Sequence, residues 1–277
     1  PRFFTPVNEP SITALTAGLW GLWNDRRSSP ADHAVALAHA VLADLEAFAR
    51  ISADRDAWWI GAEGFGCQLA ATPDAEPAAA RARALEQLPW DLRFGVDPDP
   101  VAARRLEAVD DRILDRIAAH TLGHDRVVAG HDMYPVSVRR HGDGEGDGDD
   151  GGDGEGDDGA SLTLEERLAA YDDEARRWHA RYQRDFWVSE TSNLGLPVED
   201  GPRWLKGLVG VLDGLLADGL PVRGICWYSR GDQYDWHTML ARPVGEVTEV
   251  GLFDADRRPR PVAEAYAHLA HTRATAV

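Results

Sequence analysis

The stretch Trp187-Val-Ser-Glu190-Thr-Ser-Asn193 decides the fold. It puts one carboxylate, Glu190, at the end of a short apolar run, Phe186-Trp187-Val188. An apolar run of that length bounded by polar residues predicts a buried strand. A carboxylate where a parallel strand runs out into its loop sits where barrel enzymes do chemistry. The chain opens on a second such place, because Phe3-Phe-Thr-Pro-Val-Asn8-Glu9-Pro10 ends a strand on Asn8-Glu9. Taken alone, each glutamate reads equally well as a solvated loop acid, since most Asp and Glu are exposed.

Outward from these two places, strand and helix alternate. Ser29-Pro-Ala-Asp32 carries a cap, a first-turn proline and an acid, so a helix is expected from there to about Arg50. Leu37, Val41, Leu45 and Phe48 give it one apolar face. Asp56 to Ala62 reads as a strand, and Glu63 ends it as a third strand-end carboxylate with a supporting or substrate-contact role, a structural cap being equally open. Residues 67–97 read as irregular, since Pro73, Pro77 and Pro89 break a long helix. Asp99-Pro100 starts another helix, with Val101, Leu106, Val109, Ile113 and Ile117 inward. Asp125 to Gly130 is a short strand that runs into His131-Asp-Met-Tyr134. Thr163-Leu-Glu-Glu166 is a capping box, and Leu164, Leu168, Tyr171, Ala175, Trp178 and Tyr182 form an apolar stripe behind it. A helix over 202–218 and a strand from Pro221 to Trp227 follow. Repeated strand–helix units predict an α/β fold with parallel strands and helical crossovers.

Composition bounds the function. A chain of 277 residues holds a sizeable core and is expected to form a single domain. Its net charge of −18 argues against nucleic acid or an anionic membrane as partner. Lys206 is the single lysine, and the other basic residues are arginines. An acid-rich, lysine-poor surface is halophile-like, although high-GC codon usage gives the same arginine bias. Cys67 and Cys226 read as buried thiols with no disulfide framework. No apolar run approaches the roughly 20 residues of a membrane span. No signal peptide is apparent, and a cytoplasmic location is expected. The start at Pro1, already inside a strand, reads as the C-terminal part of something longer. Residues 142–159 consist of nine glycines and nine acids, which are expected to be disordered and match no calcium-loop register.

Two carboxylates on two strand ends point to the paired acid and nucleophile of glycoside hydrolysis. Thr5-Pro-Val-Asn8-Glu9-Pro10 resembles the acid/base motif that ends the fourth barrel strand of family 1 glycoside hydrolases, the β-glucosidase-like members of a retaining clan. Asp132-Met-Tyr134 resembles that family's Asn-x-Tyr element, whose tyrosine hydrogen-bonds the nucleophile, with Asp in place of Asn. Ser189-Glu190-Thr-Ser-Asn resembles its Thr-Glu-Asn-Gly nucleophile motif, with a different loop. Trp227-Tyr-Ser-Arg-Gly-Asp-Gln-Tyr-Asp235-Trp236 is similar to its Trp-Ser-Leu-Leu-Asp-Asn-Phe-Glu-Trp, one residue longer and with Asp for Glu. Gly251 to Tyr266 looks like its closing turn and last helix.

The resemblance implies strands four to eight of a (β/α)8 TIM barrel, with the first three absent. It implies Glu190 as nucleophile and Glu9 as acid/base. Asn8, His131, Tyr134, Trp227, Asp235 and Trp236 would contact substrate or line the site, with Glu63 beside them; His131 also reads as a satisfied buried histidine. No metal and no organic cofactor is expected, and the partner is a carbohydrate. Trp20 and Trp23 read as loop residues that could stack on sugar faces, or as core. Two readings stay open beside a retaining β-glycosidase. One is a non-catalytic barrel fragment, inactive unless the missing strands are supplied. The other is a cellulase-like or mannanase-like member of the same clan.

Overall fold

The computed structural model describes residues 1–142 and 162–274. Its elements run β1 (Phe3–Phe4), α1 (Pro10–Ala14, continued by a π-helical turn Leu15–Leu19), α2 (Pro30–Ala53), β2 (Trp58–Ile60), β3 (Glu63–Gly64), β4 (Cys67–Ala70) and α3 (Glu76–Phe94). Then come α4 (Pro100–Ala103), α5 (Asp111–Ala119), β5 (Val127–Asp132), β6 (Val138–His141), α6 (Leu164–Tyr182), β7 (Asp185–Glu190), α7 (Gly201–Ala217), β8 (Val222–Ile225), β9 (Gln233–Tyr234), β10 (Val247–Thr248) and α8 (Pro261–Ala274). The acidic stretch 142–159 lies, from residue 143 onward, outside the described residues.

The main sheet has the order β1-β2-β5-β7-β8, with β3 prolonging β2 along β5. Every pairing in it is parallel. With a helical crossover between successive strands, this is a partial (β/α)8 barrel. The sheet is open, with β1 and β8 as its two edges. Two small pairs flank it, β4 with β6 in parallel and β9 with β10 antiparallel.

Strand alternation sorts the two faces. Phe186 and Val188 of β7 are fully buried toward the helical layer, where Phe186 lies 5.9 Å from Trp178 of α6. Burying a side chain of that size stabilises by roughly 1.5–3 kcal/mol. Trp187, between them, faces the inner side. It lines an open apolar groove of about 520 Å³ together with Phe3, Trp58, Ile60 and Val128. Asp185 and Arg223 pair across the groove's rim, near the start of β7 and β8.

The caps explain why the helices start where they do. Ser29 Oγ accepts the Asp32 N–H at 3.0 Å, and Pro30 occupies the first turn of α2. Thr163 and Glu166 form the reciprocal capping box of α6. Residues 67–97 are not irregular: α3 runs unbroken through 76–94. Pro77 sits in its first turn, where a missing N–H was unpaired anyway. Pro89 lies inside the helix, which nonetheless continues because its last turns are buried through Leu88, Trp90, Arg93 and Phe94. The helix expected from Pro100 is divided, since Asp110 caps a new start by accepting the Arg112 N–H at 2.9 Å. Cys67 is buried as expected, whereas Cys226 is only half-buried; both are free thiols.

Candidate active site

Three carboxyl groups meet at the C-terminal ends of the parallel strands. Glu9 follows β1, Asp132 ends β5 and Glu190 ends β7. One oxygen from each lies within 4.8 Å of the others. Among the described residues this is the only such gathering of acidic, histidine or cysteine ligand atoms. Local backbone bonds hold it together. The Glu9 N–H donates to Ala62 O at 2.9 Å, and the Met133 N–H donates to Glu190 O at 2.9 Å. A register shift between β5 and β7 at His131/Asp132 brings Asp132 opposite Glu190. Glu9 has a left-handed backbone, φ 41°, a conformation that costs a non-glycine residue roughly 1–3 kcal/mol and gathers at functional sites. Pro10 directly after it starts α1, which turns the chain away from the sheet.

The surroundings separate the two glutamates. The Tyr134 hydroxyl donates to Glu190 Oε2 at 2.7 Å. Burial pushes the Glu190 carboxyl up, while the hydrogen bonds from Tyr134 and from the Asn8 side chain pull it back. Glu9 is pushed up to about 8, first by burial and then by the charges of Glu190 and Glu63. Asp132 is pushed well above the carboxylate range by burial, then by Glu9 and Glu190. Two neighbouring acids whose environments hold their protons to different degrees form the usual basis for separate acid and nucleophile roles.

The other expected residues divide. Tyr134 and Asn8 reach the cluster. Glu63 fits the structural reading that the sequence left open: it is fully buried with both oxygens occupied. Its Oε1 accepts from the Ser11 N–H at 3.1 Å, the Ser11 hydroxyl and the Gly64 N–H, and its Oε2 accepts from Arg93 Nη1 at 2.6 Å. It locks the first turn of α1, one step beyond Glu9-Pro10.

Of the two readings of His131, the structure fits the buried histidine and not the sugar contact. His131 neighbours Asp132 along β5, so its ring points to the opposite face. There it stacks between Phe65 and Phe186 at 3.9 and 4.9 Å, fully buried, and burial holds it neutral. Trp227 belongs to the core, with its indole N–H donating to Val250 O at 3.0 Å. Its neighbour Tyr228 is tied by its backbone N–H to Thr191 O at 2.9 Å, just after Glu190, and its hydroxyl is pushed up by burial and then by the Glu190 and Glu9 charges. A shift of one residue along an extended segment exchanges the faces.

Asp235 uses Oδ1 inside its own loop, accepting the Glu246 N–H at 3.0 Å, and Trp236 follows in a short 3-10 turn of the β9–β10 hairpin. Trp23 ties the segment after α1 to this hairpin through its indole N–H and Met239 O, 2.6 Å apart. Trp20 lies in a bend just after the π-helical turn, with its backbone N–H donating to Leu15 O. Asp132 and Tyr228 are the site residues that sequence reasoning passed over. The Asp132-Met-Tyr134 motif was the available signal for Asp132.

No protein-family model and no curated protein matches the sequence. Solved structures do match. A β-glucosidase from Thermotoga maritima in complex with azafagomine superposes with a TM-score of 0.72 at 14% identity, covering 96% of this chain and 63% of that one. A GH1 β-glucosidase from Exiguobacterium antarcticum gives a TM-score of 0.74 at 16% identity, covering 99% and 64%. The virulence factor SghA from Agrobacterium tumefaciens gives 0.72 at 18%, covering 95% and 62%. At such identities the likeness is one of fold: the chain has the architecture of part of a family 1 β-glucosidase barrel. It spans less than two thirds of the length of each of these structures.

Proposed function

We propose that this chain carries the catalytic pair of a retaining β-glycosidase and acts on O-glycosides. The observation that carries the reading is the Glu9–Glu190 pair on two parallel strand ends. Their oxygens lie within 4.8 Å, with the Tyr134 hydroxyl on Glu190. Retaining chemistry uses carboxyl groups about 5–5.5 Å apart, whereas inversion needs roughly 6.5–9.5 Å to admit a water. Glu190 attacks the anomeric carbon, and the Tyr134 bond holds its carboxylate in line. Glu9 keeps its proton near neutrality, gives it to the leaving oxygen, and then takes one from the water that releases the sugar. Asn8 reaches the 2-hydroxyl, and Tyr228 replaces Trp227 as the aromatic lining. The excess of acid, −18 over the chain, favours a neutral carbohydrate over nucleic acid as partner. Among the described residues no helix is long and apolar enough to cross a membrane.

A screen of aryl β-glycosides tests this. Hydrolysis that disappears in Glu190→Gln and falls in Glu9→Gln, most on poor leaving groups, supports it, and activity unchanged in both sinks it. The altered Asp235 loop favours keeping cellulase-like and mannanase-like substrates in the screen. The non-catalytic reading draws on the open edges at β1 and β8 and on the uncovered groove. It predicts a folded chain with no turnover on any glycoside until the missing strands are supplied.

A further inference from the structure

We propose that Asp132 stands in the site as a neutral acid whose proton bridges to the Glu9 carboxyl, making it a positioning residue for Glu9. The argument begins with the two oxygens of Asp132. Oδ1 accepts the Ser189 hydroxyl at 2.5 Å. Oδ2 is buried and receives no hydrogen bond from any described donor. Asp132 is 1% exposed, so no bulk water compensates. A buried carboxylate oxygen left without a donor is costly, and a proton on that oxygen turns the orphan acceptor into a donor. The acceptor is at hand, because Glu9 and Asp132 share the three-carboxyl cluster, with one oxygen of each within 4.8 Å of the other.

The groups facing Asp132 leave it no other neutraliser. Glu9 approaches from the segment after β1, Glu190 and Ser189 from β7, and Glu63 from β3. Tyr134, on its own segment, and Cys226, after β8, are the other titratable groups on this side. The acids all repel an ionised Asp132, and the Arg93 guanidinium is already held by Asp44 and Glu63. Like carboxyls at such distances cannot all ionise. A neutral Asp has the shape of Asn, with one acceptor oxygen and one donor. The donated bond favours the ionised form of Glu9 and so keeps that carboxyl within reach of neutral pH, against burial, Glu190 and Glu63, which all push it up.

The consequence for catalysis rests on the reading of Glu9 as the acid, but the test does not. Carboxyl carbons of the full chain, labelled in Asp and Glu, are followed by 13C NMR across pH. At pH 7 the Asp132 carbon is expected at the protonated position, ionising only above Glu9. An ionised Asp132 at pH 7, with the proton on Glu9 alone, overturns the proposal. So does ionisation of both on adding Mg2+ or Ca2+, which would make a cation the neutraliser. Two variants give the sign. Asp132→Asn keeps the Glu9 midpoint within about one pH unit, the ordinary scatter of carboxyls in folded proteins. Asp132→Leu removes the donor and moves the Glu9 midpoint up. A downward movement in either variant means that Asp132 was charged, and the proposal falls. Should the variants not fold, the native titration alone decides. Failure of the glycosidase reading shows separately, as no turnover with this titration intact.

Discussion

Arg93 Nη1 donates to Glu63 Oε2 across 2.6 Å, and both side chains are 1% exposed. The same guanidinium reaches Asp44 of α2 at 2.9 Å, and Asp44 accepts the Trp59 indole N–H at 3.1 Å. Through Ser11, Glu63 then holds the start of α1 beside Glu9. A buried ion network behind the sheet thus fixes the backbone that presents the Glu9 carboxyl.

Arg93→Met is therefore expected to be severe. It leaves Asp44 and Glu63 as unpaired buried acids, which typically costs about 3–5 kcal/mol. Arg116 pairs with Glu46 at 2.6 Å, but the arginine is 53% exposed. Arg116→Met is expected to change stability by about 1 kcal/mol or less. Urea unfolding of the two variants side by side checks the contrast. Similar losses would mean that the buried network is not what holds α1.

Gly130→Ala tests the close approach of strands beneath the site. A Cβ at Gly130 would stand 1.8 Å from Gly61 O and 2.4 Å from Ser189 Oγ. The nearer obstacle is backbone, so β2 and β5 must separate, at a cost of roughly 1–3 kcal/mol or more. Ser189 would also lose its position against Asp132. Gly210→Ala, where nothing lies within 4 Å of the added carbon, is expected to be neutral or slightly stabilising, since helical Ala exceeds Gly by about 1 kcal/mol. Thermal melts of the two variants measure the difference.

The pH dependence of stability follows from Glu9, whose carboxyl rises to about 8 through burial and then the Glu190 and Glu63 charges. Its unfolded value is about 4.3. Between the two, the folded chain binds the proton more firmly than the unfolded chain does. This contribution to stability is complete below the unfolded value and is lost as pH rises through about 8. Glu9→Gln removes it. The urea midpoint of Glu9→Gln should therefore gain on that of the native chain as pH is raised from 5 to 9. A difference that stays flat with pH would show an unperturbed Glu9.

Much of this was legible in the sequence, for identifiable reasons. Caps at Ser29 and Thr163 and the stripe from Leu164 to Tyr182 are local signals, and α2 and α6 followed them. Asn8-Glu9 and Glu190 lie at strand ends in motifs, and the chain brings them together as expected. The misses are of another kind. Trp227 and His131 each sit next to the residue that faces the site, Tyr228 and Asp132. Facing depends on strand register, and the irregularity between β5 and β7 at Asp132 has no sequence signature. Glu63 reads in sequence as a strand-end acid because its partner Arg93 lies thirty residues away, in a helix that the prolines conceal. Pro77 and Pro89 mislead because tertiary burial of Trp90, Arg93 and Phe94 outweighs one lost backbone bond.

The division of labour between the two glutamates is testable in a chain that hydrolyses aryl glycosides. Glu190→Gly should abolish turnover and leave a hole on the face of the sugar where attack occurs. Azide or formate can enter that hole and attack in place of the carboxylate, provided Glu9 still protonates the leaving group. Rescue then yields a glycosyl product of inverted configuration. Glu9→Ala should behave differently. On substrates with good leaving groups, which need no proton, its first step should be nearly normal. On ordinary glycosides it should lose about 10²–10⁴-fold, the usual contribution of a general acid. Tyr134→Phe adds a third reading, because it removes the 2.7 Å bond to Glu190 and no proton donor to the leaving group. Its loss should be the same for good and poor leaving groups. Product configuration by NMR and a leaving-group series separate the three patterns. Inverted, rescued product from Glu9→Ala would exchange the two roles, and the Tyr134 bond would then mark the acid rather than the nucleophile.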